Sequence, residues 1–232
     1  MLRAFALTLP LSLSAAAAAS LPEAEERLAQ GDWQTAARLA ESVGGVDGLN
    51  LTAKAYVLGA STPQAPEGTL NKALEAARSA VRLAPQNAMA HFQLAQALGR
   101  QAQQAGLFGS AKLAGQIKQE LLTAIRLNPG MPQPYAALAV WHAEISAKGS
   151  LPALLLGASR GDALKYFEKT LSLDPLTMSY HVEYGRALLG MNDARLRARG
   201  VQQLQLVLSL TPRTYWEQDE QRKARELLEA RQ

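Results

Sequence analysis

The residues whose type and spacing could do chemistry are few in this 232-residue chain. His142-Ala143-Glu144 and His181-Val182-Glu183 each place an imidazole two residues from a carboxylate, a pairing that a metal site or a general base would use. On a helix, residues two apart point about 200° apart, so neither pair can close on one ion from its own helix. His91 completes the set of three histidines, and all three fall in helical patterns. Cysteine is absent, which removes disulfides, thiolate metal ligands, cysteine nucleophiles and lipid-modified N-terminal cysteines. No H-E-x-x-H, P-loop or G-x-G-x-x-G pattern occurs. No catalytic residue, metal ligand or cofactor site is expected from these residues.

The densest positive cluster is Arg195-Leu-Arg197-Ala-Arg199. Alternate spacing spreads its charges around a helix, and no aromatics interleave with them as in a single-strand binder. Formal net charge is only +4 and dispersed, so nucleic acid is not an expected partner. Trp33, Trp141 and Trp216 fall where core side chains are expected.

The elements that would position these residues are helical. Hydrophobic residues make up 48% and aromatics only 6%, which favours packed helices over sheet and excludes a disordered chain. Met1 to Ser20 reads as a secretory leader. Arg3 is followed by an apolar stretch from Ala4 to Leu13, then by small residues from Ala15 to Ser20. Cleavage is expected after Ala19, with residues 1–19 removed. The stretch is too short for a span of ~20 residues, so the mature chain is expected without a membrane span, in the periplasm or secreted. Asn50-Leu51-Thr52 would accept a glycan only in a eukaryotic secretory pathway.

Four similar phrases end in proline: Val81-Arg-Leu-Ala-Pro85, Ile125-Arg-Leu-Asn-Pro129, Leu171-Ser-Leu-Asp-Pro175 and Leu208-Ser-Leu-Thr-Pro212. Proline cannot continue a helix interior, so each phrase closes one. The following residues agree in phase. Six after each proline come His91, Tyr135 and His181; nine after come Leu94, Leu138 and Tyr184; ten after come Ala95, Ala139 and Gly185. These offsets form one helical stripe, and small residues at the tenth let a neighbouring helix approach closely. A second stripe precedes each proline, as in Ala163, Phe167 and Thr170 before Pro175.

This recurrence resembles the tetratricopeptide repeat family, over about 200 residues from Leu28 to Pro212. The spacing departs from the family's 34-residue unit, because the prolines lie 44, 46 and 37 residues apart. The resemblance implies an all-α, right-handed superhelical solenoid of about five antiparallel helix pairs with a C-terminal capping helix. Residues 20–232 would form one such domain, with repeats at 22–43, 48–85, 87–129, 131–175 and 177–212 and a cap at 214–230. Tyr215, Trp216, Ala224, Leu227 and Leu228 are expected to close the core, and 44–69 reads as rich in loop. Two apolar inserts, Gly106-Leu-Phe-Gly109 and Leu151-Pro-Ala-Leu-Leu-Leu156-Gly157, are expected to pack over the ends of their own helices. The other reading is an exposed apolar rim.

From Pro129 to Leu228 the chain is also similar to the regulator of microtubule dynamics family, through Tyr135-Ala-Ala-Leu-Ala-Val-Trp141-His142 and Asp162-Ala-Leu-Lys-Tyr-Phe167. The extended helix pairs resemble the exported T-component of TRAP transporters. Peptide contacts in tetratricopeptide proteins come from fixed positions on the first helix of each pair. Carried onto this chain, the resemblance implies a groove of Met89, Phe92, Gln96, Arg100, Gln133, Val140, Glu144, Val182 and Arg186. Its expected occupant is a peptide or protein helix, with the chain acting as an exported non-catalytic scaffold or assembly factor, possible in an envelope complex. The transporter resemblance implies the alternative, a small-ligand-binding accessory protein.

Overall fold

The computed structural model describes residues 19–104, 107–191 and 193–230, apart from the side chains of 107–110. Most of the expected leader, and the side chains of Leu107 and Phe108, therefore lie outside the described residues. Those residues form helices α1 (Leu21–Ala29), α2 (Trp33–Val43), α3 (Gly45–Gly59), α4 (Thr69–Leu83), α5 (Ala88–Gln104), α6 (Leu107–Leu127), α7 (Pro132–Ala147), α8 (Ser150–Leu156), α9 (Arg160–Leu173), α10 (Met178–Leu189), α11 (Ala194–Ser209) and α12 (Tyr215–Glu229).

Polar side chains start many of these helices. Asp32 accepts from Thr35 N at 3.1 Å, Ser159 from Asp162 N at 3.0 Å, and Asp193 from Arg195 N at 2.8 Å. Thr214 and Glu217 form a reciprocal capping box at the start of α12. The pairs α1/α2, α3/α4, α5/α6, α7/α9 and α10/α11 pack side by side, and the first helices of successive pairs pack on one another. The result is a helix-pair repeat solenoid ended by a capping helix.

One device recurs at the junctions. Proline stops the second helix of a pair and leaves a carbonyl in need of a donor. The residue six positions later supplies it: His91 Nε2 meets Pro85 O at 2.9 Å, Tyr135 Oη donates to Pro129 O at 3.2 Å, and His181 Nε2 meets Pro175 O at 2.8 Å. The same side chains reach the second helix of their own pair. His91 Nδ1 meets Glu120 at 2.5 Å and His181 Nδ1 meets Gln203 at 2.6 Å. Tyr135 instead packs its ring against Tyr166, 6.3 Å between centroids. Glu120, Tyr166 and Gln203 all stand nine residues before the next proline.

Apolar burial fills the space between pairs. Phe167 and Tyr184, both fully buried, stack at 4.6 Å. Gly185 is the close approach expected at the tenth position: a Cβ there would fall 2.8 Å from the Leu204 side chain and 3.1 Å from Gly200 O. The last helix reaches back to the first pair. Trp216 Nε1 donates to Leu28 O at 2.6 Å, and the Tyr215 ring covers Gly31, where a Cβ would lie 2.7 Å from it. The two ends of the array therefore touch.

Three expectations need correction. Residues 44–69 are mostly helical. Gly44 and Gly45, at φ 68° and 65°, make the sharp turn between α2 and α3, and only 60–68 stays irregular. The second insert folds as α8, and it does not pack over its neighbours. Leu151, Leu154 and Leu155 are 65%, 78% and 75% exposed, and only Leu156 turns into the core. Tyr215 does not close the core. It remains half exposed because glycine opposite leaves a surface slot rather than a buried one.

Replacing Gly185 by alanine is expected to destabilise the fold by ~1–3 kcal/mol, since the added methyl overpacks a backbone contact. Urea unfolding followed by circular dichroism measures it, and an unchanged midpoint would contradict the close approach. His91→Phe keeps a buried ring but leaves Pro85 O and Glu120 without their partner, an expected loss of ~1–3 kcal/mol in the same assay.

Candidate functional site

The first helices of the pairs line the inner face of the solenoid, and α12 crosses beside them. Between them is a cavity of about 570 Å³. Val57 and Leu58 of α3, Phe92 of α5, Ile117 and Leu121 of α6, Val140 and Trp141 of α7 and Trp216 of α12 give it apolar walls. Trp141 is fixed by donating Nε1 to Ala114 O at 2.9 Å.

Charged groups ring these walls, and most neutralise one another. Arg186 bridges Glu144 at 3.2 Å and Glu183 at 2.6 Å. Burial would lower its pKa, but the two carboxylates outweigh that and raise it. Lys223 pairs with Glu220 at 2.8 Å and Asp219 at 3.0 Å. Burial pushes the Glu220 carboxyl upward, partly offset by Lys223. Arg100 differs. Burial lowers its pKa, partly offset by Glu183 at longer range. Its described bonds go to neutral partners, Ser61 Oγ and Gln103 Oε1, with no ion pair among the described residues.

Phe92, Gln96, Arg100, Gln133, Val140, Glu144 and Arg186 all line this cavity. Met89 and Val182 do not. Met89 packs on the core and lies 3.4 Å from Gln93 Nε2. Val182, 2% exposed, is buried in an apolar cluster with Met178, Leu204 and Val207 and with Ala224 of α12. The contribution of α12 itself (Trp216, Asp219, Glu220 and Lys223) was absent from the sequence reading. Its only local signal was an amphipathic helix with one tryptophan at its start.

The histidines have structural partners. His91 and His181 hold the proline carbonyls. His142 accepts from Ser159 N at 3.1 Å, which fixes Nδ1 as the unprotonated nitrogen, and its ring stacks on Tyr166. Gly157-Ala-Ser159-Arg-Gly161 has the letters of a hydrolase nucleophile turn, and Ser159, His142 and Asp162 come together. The wiring is not catalytic. Ser159 Oγ donates to Asp162 at 2.7 Å, His142 contacts only the Ser159 backbone, and the serine is an unstrained helix cap with φ −146°. Among the described residues no three metal-ligating side chains converge, and no helix is long and apolar enough to cross a membrane.

Stacked antiparallel helix pairs, proline-closed and lined inside by the first helix of each pair, define a tetratricopeptide-like repeat protein. The chain matches the family model "Regulator of microtubule dynamics protein 1-3" over residues 49–232 and belongs to that family. No curated protein matches it. Its fold is similar to that of TTC0263, a thermophilic tetratricopeptide protein of Thermus thermophilus. The identity is 20%, over 90% of this chain and 97% of that one, with a TM-score of 0.67. Human IFIT1, solved as a dimer with PPP-AAAA, is 15% identical, covering 91% of this chain and 45% of that one, with a TM-score of 0.59. At these identities the likeness concerns the fold alone.

Burial lowers the His142 pKa, nearby Lys118 lowers it further, and Asp162 partly opposes them. A depressed folded pKa means that the stabilisation is whole above the unfolded value of about 6.5 and is lost as pH falls below it. The stability difference between wild type and His142→Gln is therefore expected to shrink from pH 8 to pH 5. Urea unfolding at both values measures it, and a constant difference would contradict the role of the neutral ring.

Proposed function

We propose that this chain is an exported, non-catalytic binding module, a scaffold or assembly factor of the cell envelope, whose cavity takes an extended peptide segment of a partner. The observation that carries this is the cavity: apolar walls from five helices, paired charges around them, and the Arg100 guanidinium bonded to neutral groups. Such a lining suits apolar side chains in the centre and backbone carbonyls directed at Arg100 and Gln96. Export rests on Arg3, the apolar run 4–13 and the small residues that follow.

The volume narrows the occupant. One turn of a helix 10–12 Å across occupies roughly 500 Å³, so about 570 Å³ accommodates a single turn or a short extended stretch. The same volume favours a second reading, a small-ligand-binding accessory protein of an envelope transporter, because drug-sized ligands occupy cavities of roughly 300–1,000 Å³.

Panning a displayed peptide library against the purified protein, then titrating recovered peptides, tests the first reading. Arg100→Ala removes charge-assisted bonds worth ~1.5–3 kcal/mol and is expected to weaken binding ~10-fold or more. Val140→Asp, a half-buried wall position, is expected to abolish it. If no peptide is selected, or both variants bind as wild type does, the peptide reading fails. A thermal shift with small envelope metabolites then supports the second.

A further inference from the structure

Large exposed apolar side chains are unevenly distributed. Leu83 and Leu176 stand singly near the proline junctions, and Leu122 and Leu206 singly on α6 and α11. Leu151, Leu154 and Leu155 are together on one seven-residue helix, and the last two are the most exposed large apolar side chains among the described residues.

That helix is held in place rather than hanging free. Lys118 Nζ, from α6, donates to Leu156 O at 2.9 Å and Gly157 O at 3.1 Å, satisfying carbonyls at the C-terminal end of α8. The same ammonium lies 4.9 Å from the Trp141 ring. Beyond it, Ser159 N is tied to His142, and Leu156 and Ala158 pack on the core. The fold fixes both sides of the C-terminal turn and leaves three leucines outside.

Their setting is basic. In every antiparallel pair the first helix ends, and the second begins, on the same edge of the array. On that edge Lys112, Lys148, Arg160, Arg195 and Arg197 are exposed and make no ion pair among the described residues. Of the carboxylates there, Asp32, Asp162 and Asp193 are engaged at helix starts, Glu144 pairs with Arg186, and Glu26 and Glu67 remain exposed. Three exposed leucines within a cationic surround fit a deformable anionic plane. A second copy of this chain would bring Lys148 and Arg160 against their own likes.

We propose that this edge docks on an anionic lipid bilayer, with Leu151, Leu154 and Leu155 entering the acyl boundary and Lys148 and Arg160 meeting the headgroups. Contact is peripheral, since seven residues cannot span the hydrocarbon core. Binding combines buried apolar surface with attraction to anionic headgroups, so it weakens in salt. Lys148 also lines the cavity, whereas Leu151, Leu154, Leu155 and Arg160 do not, so the serine variant reads the edge without touching the cavity.

Flotation of the full chain with vesicles tests this, comparing pure phosphatidylcholine with phosphatidylcholine containing about a third phosphatidylglycerol. The variants are Leu154→Ser with Leu155→Ser, and Lys148→Glu with Arg160→Glu. All four positions are exposed, and unchanged melting curves verify the fold. Wild type is expected to float with the anionic vesicles only, and to be released by high salt. Each double variant is expected to bind ~10-fold less. Attachment through the apolar run 4–13 would be common to all three proteins, so the difference between them reads the edge alone. Wild type staying in the aqueous phase, equal flotation with neutral vesicles, or serine variants floating as wild type does would each overturn the proposal. A dimer in solution abolished by the serine pair, without flotation, would reassign the leucines to a second copy.

Discussion

The carbonyl of the proline that closes each pair is the constraint on which this array turns. Proline ends the helix sharply, and the price is a carbonyl that must be satisfied at the tightest point between two units. His91, Tyr135 and His181 meet that need at three successive junctions and extend to the second helix of their own pair. Each is thus a strut between the previous unit and both helices of its own. At Pro212 the arrangement changes. Gln221 of α12 donates to Val207 O at 3.1 Å and Leu210 O at 2.7 Å, so an amide on the cap serves the last carbonyls of α11. The use of histidine here also bears on function. Side chains that could act as bases are held in junctions, and the cluster of Ser159, His142 and Asp162 is used to start α9.

Closure of the ends follows from repeating such junctions with long helices and small contact residues. By the time the chain reaches α12 it has returned to the first pair, and Trp216 finds Leu28 O. An open solenoid presents a groove, whereas this one presents a cavity with a fourth kind of wall. That wall supplies Lys223 with its two carboxylates beside the Arg186 network, while Arg100, like Lys54 and Lys148 of the same lining, has no carboxylate partner among the described residues. Charge that would have favoured a strongly acidic or basic occupant is largely cancelled internally.

Much of this was legible in the sequence because it is periodic. Proline spacing and the phase of offsets six to ten located the four later pairs, and small residues at the tenth offset anticipated Gly185 against Gly200. Seven of nine inner positions fell on the cavity because the first-helix face is repeated in register. The failures share a cause, in that they depend on contacts with no sequence period. Val182 is buried in a cluster that joins α10, α11 and α12, and the Trp216 bond joins residues 188 apart. The leucines of α8 could not be placed by pattern either. A seven-residue apolar run has the same letters whether it turns inward or outward, and only the Lys118 clamp decides which.

That clamp also shows how the two surfaces are built from one framework. Trp141 is a cavity wall and the ring beneath Lys118; Ala114, which receives the Trp141 indole proton, is on the helix that carries Lys118. Ile117 and Leu121 of α6 face inward, and Lys118, one residue along, faces out to α8. Substituting Trp141 would thus alter the apolar wall and the support of the leucine helix together. Arg100 and Val140 touch only the cavity, and Leu154 and Leu155 only the edge. Those positions separate what the fold joins, and for that reason the cavity and the edge can be examined independently in a single small domain.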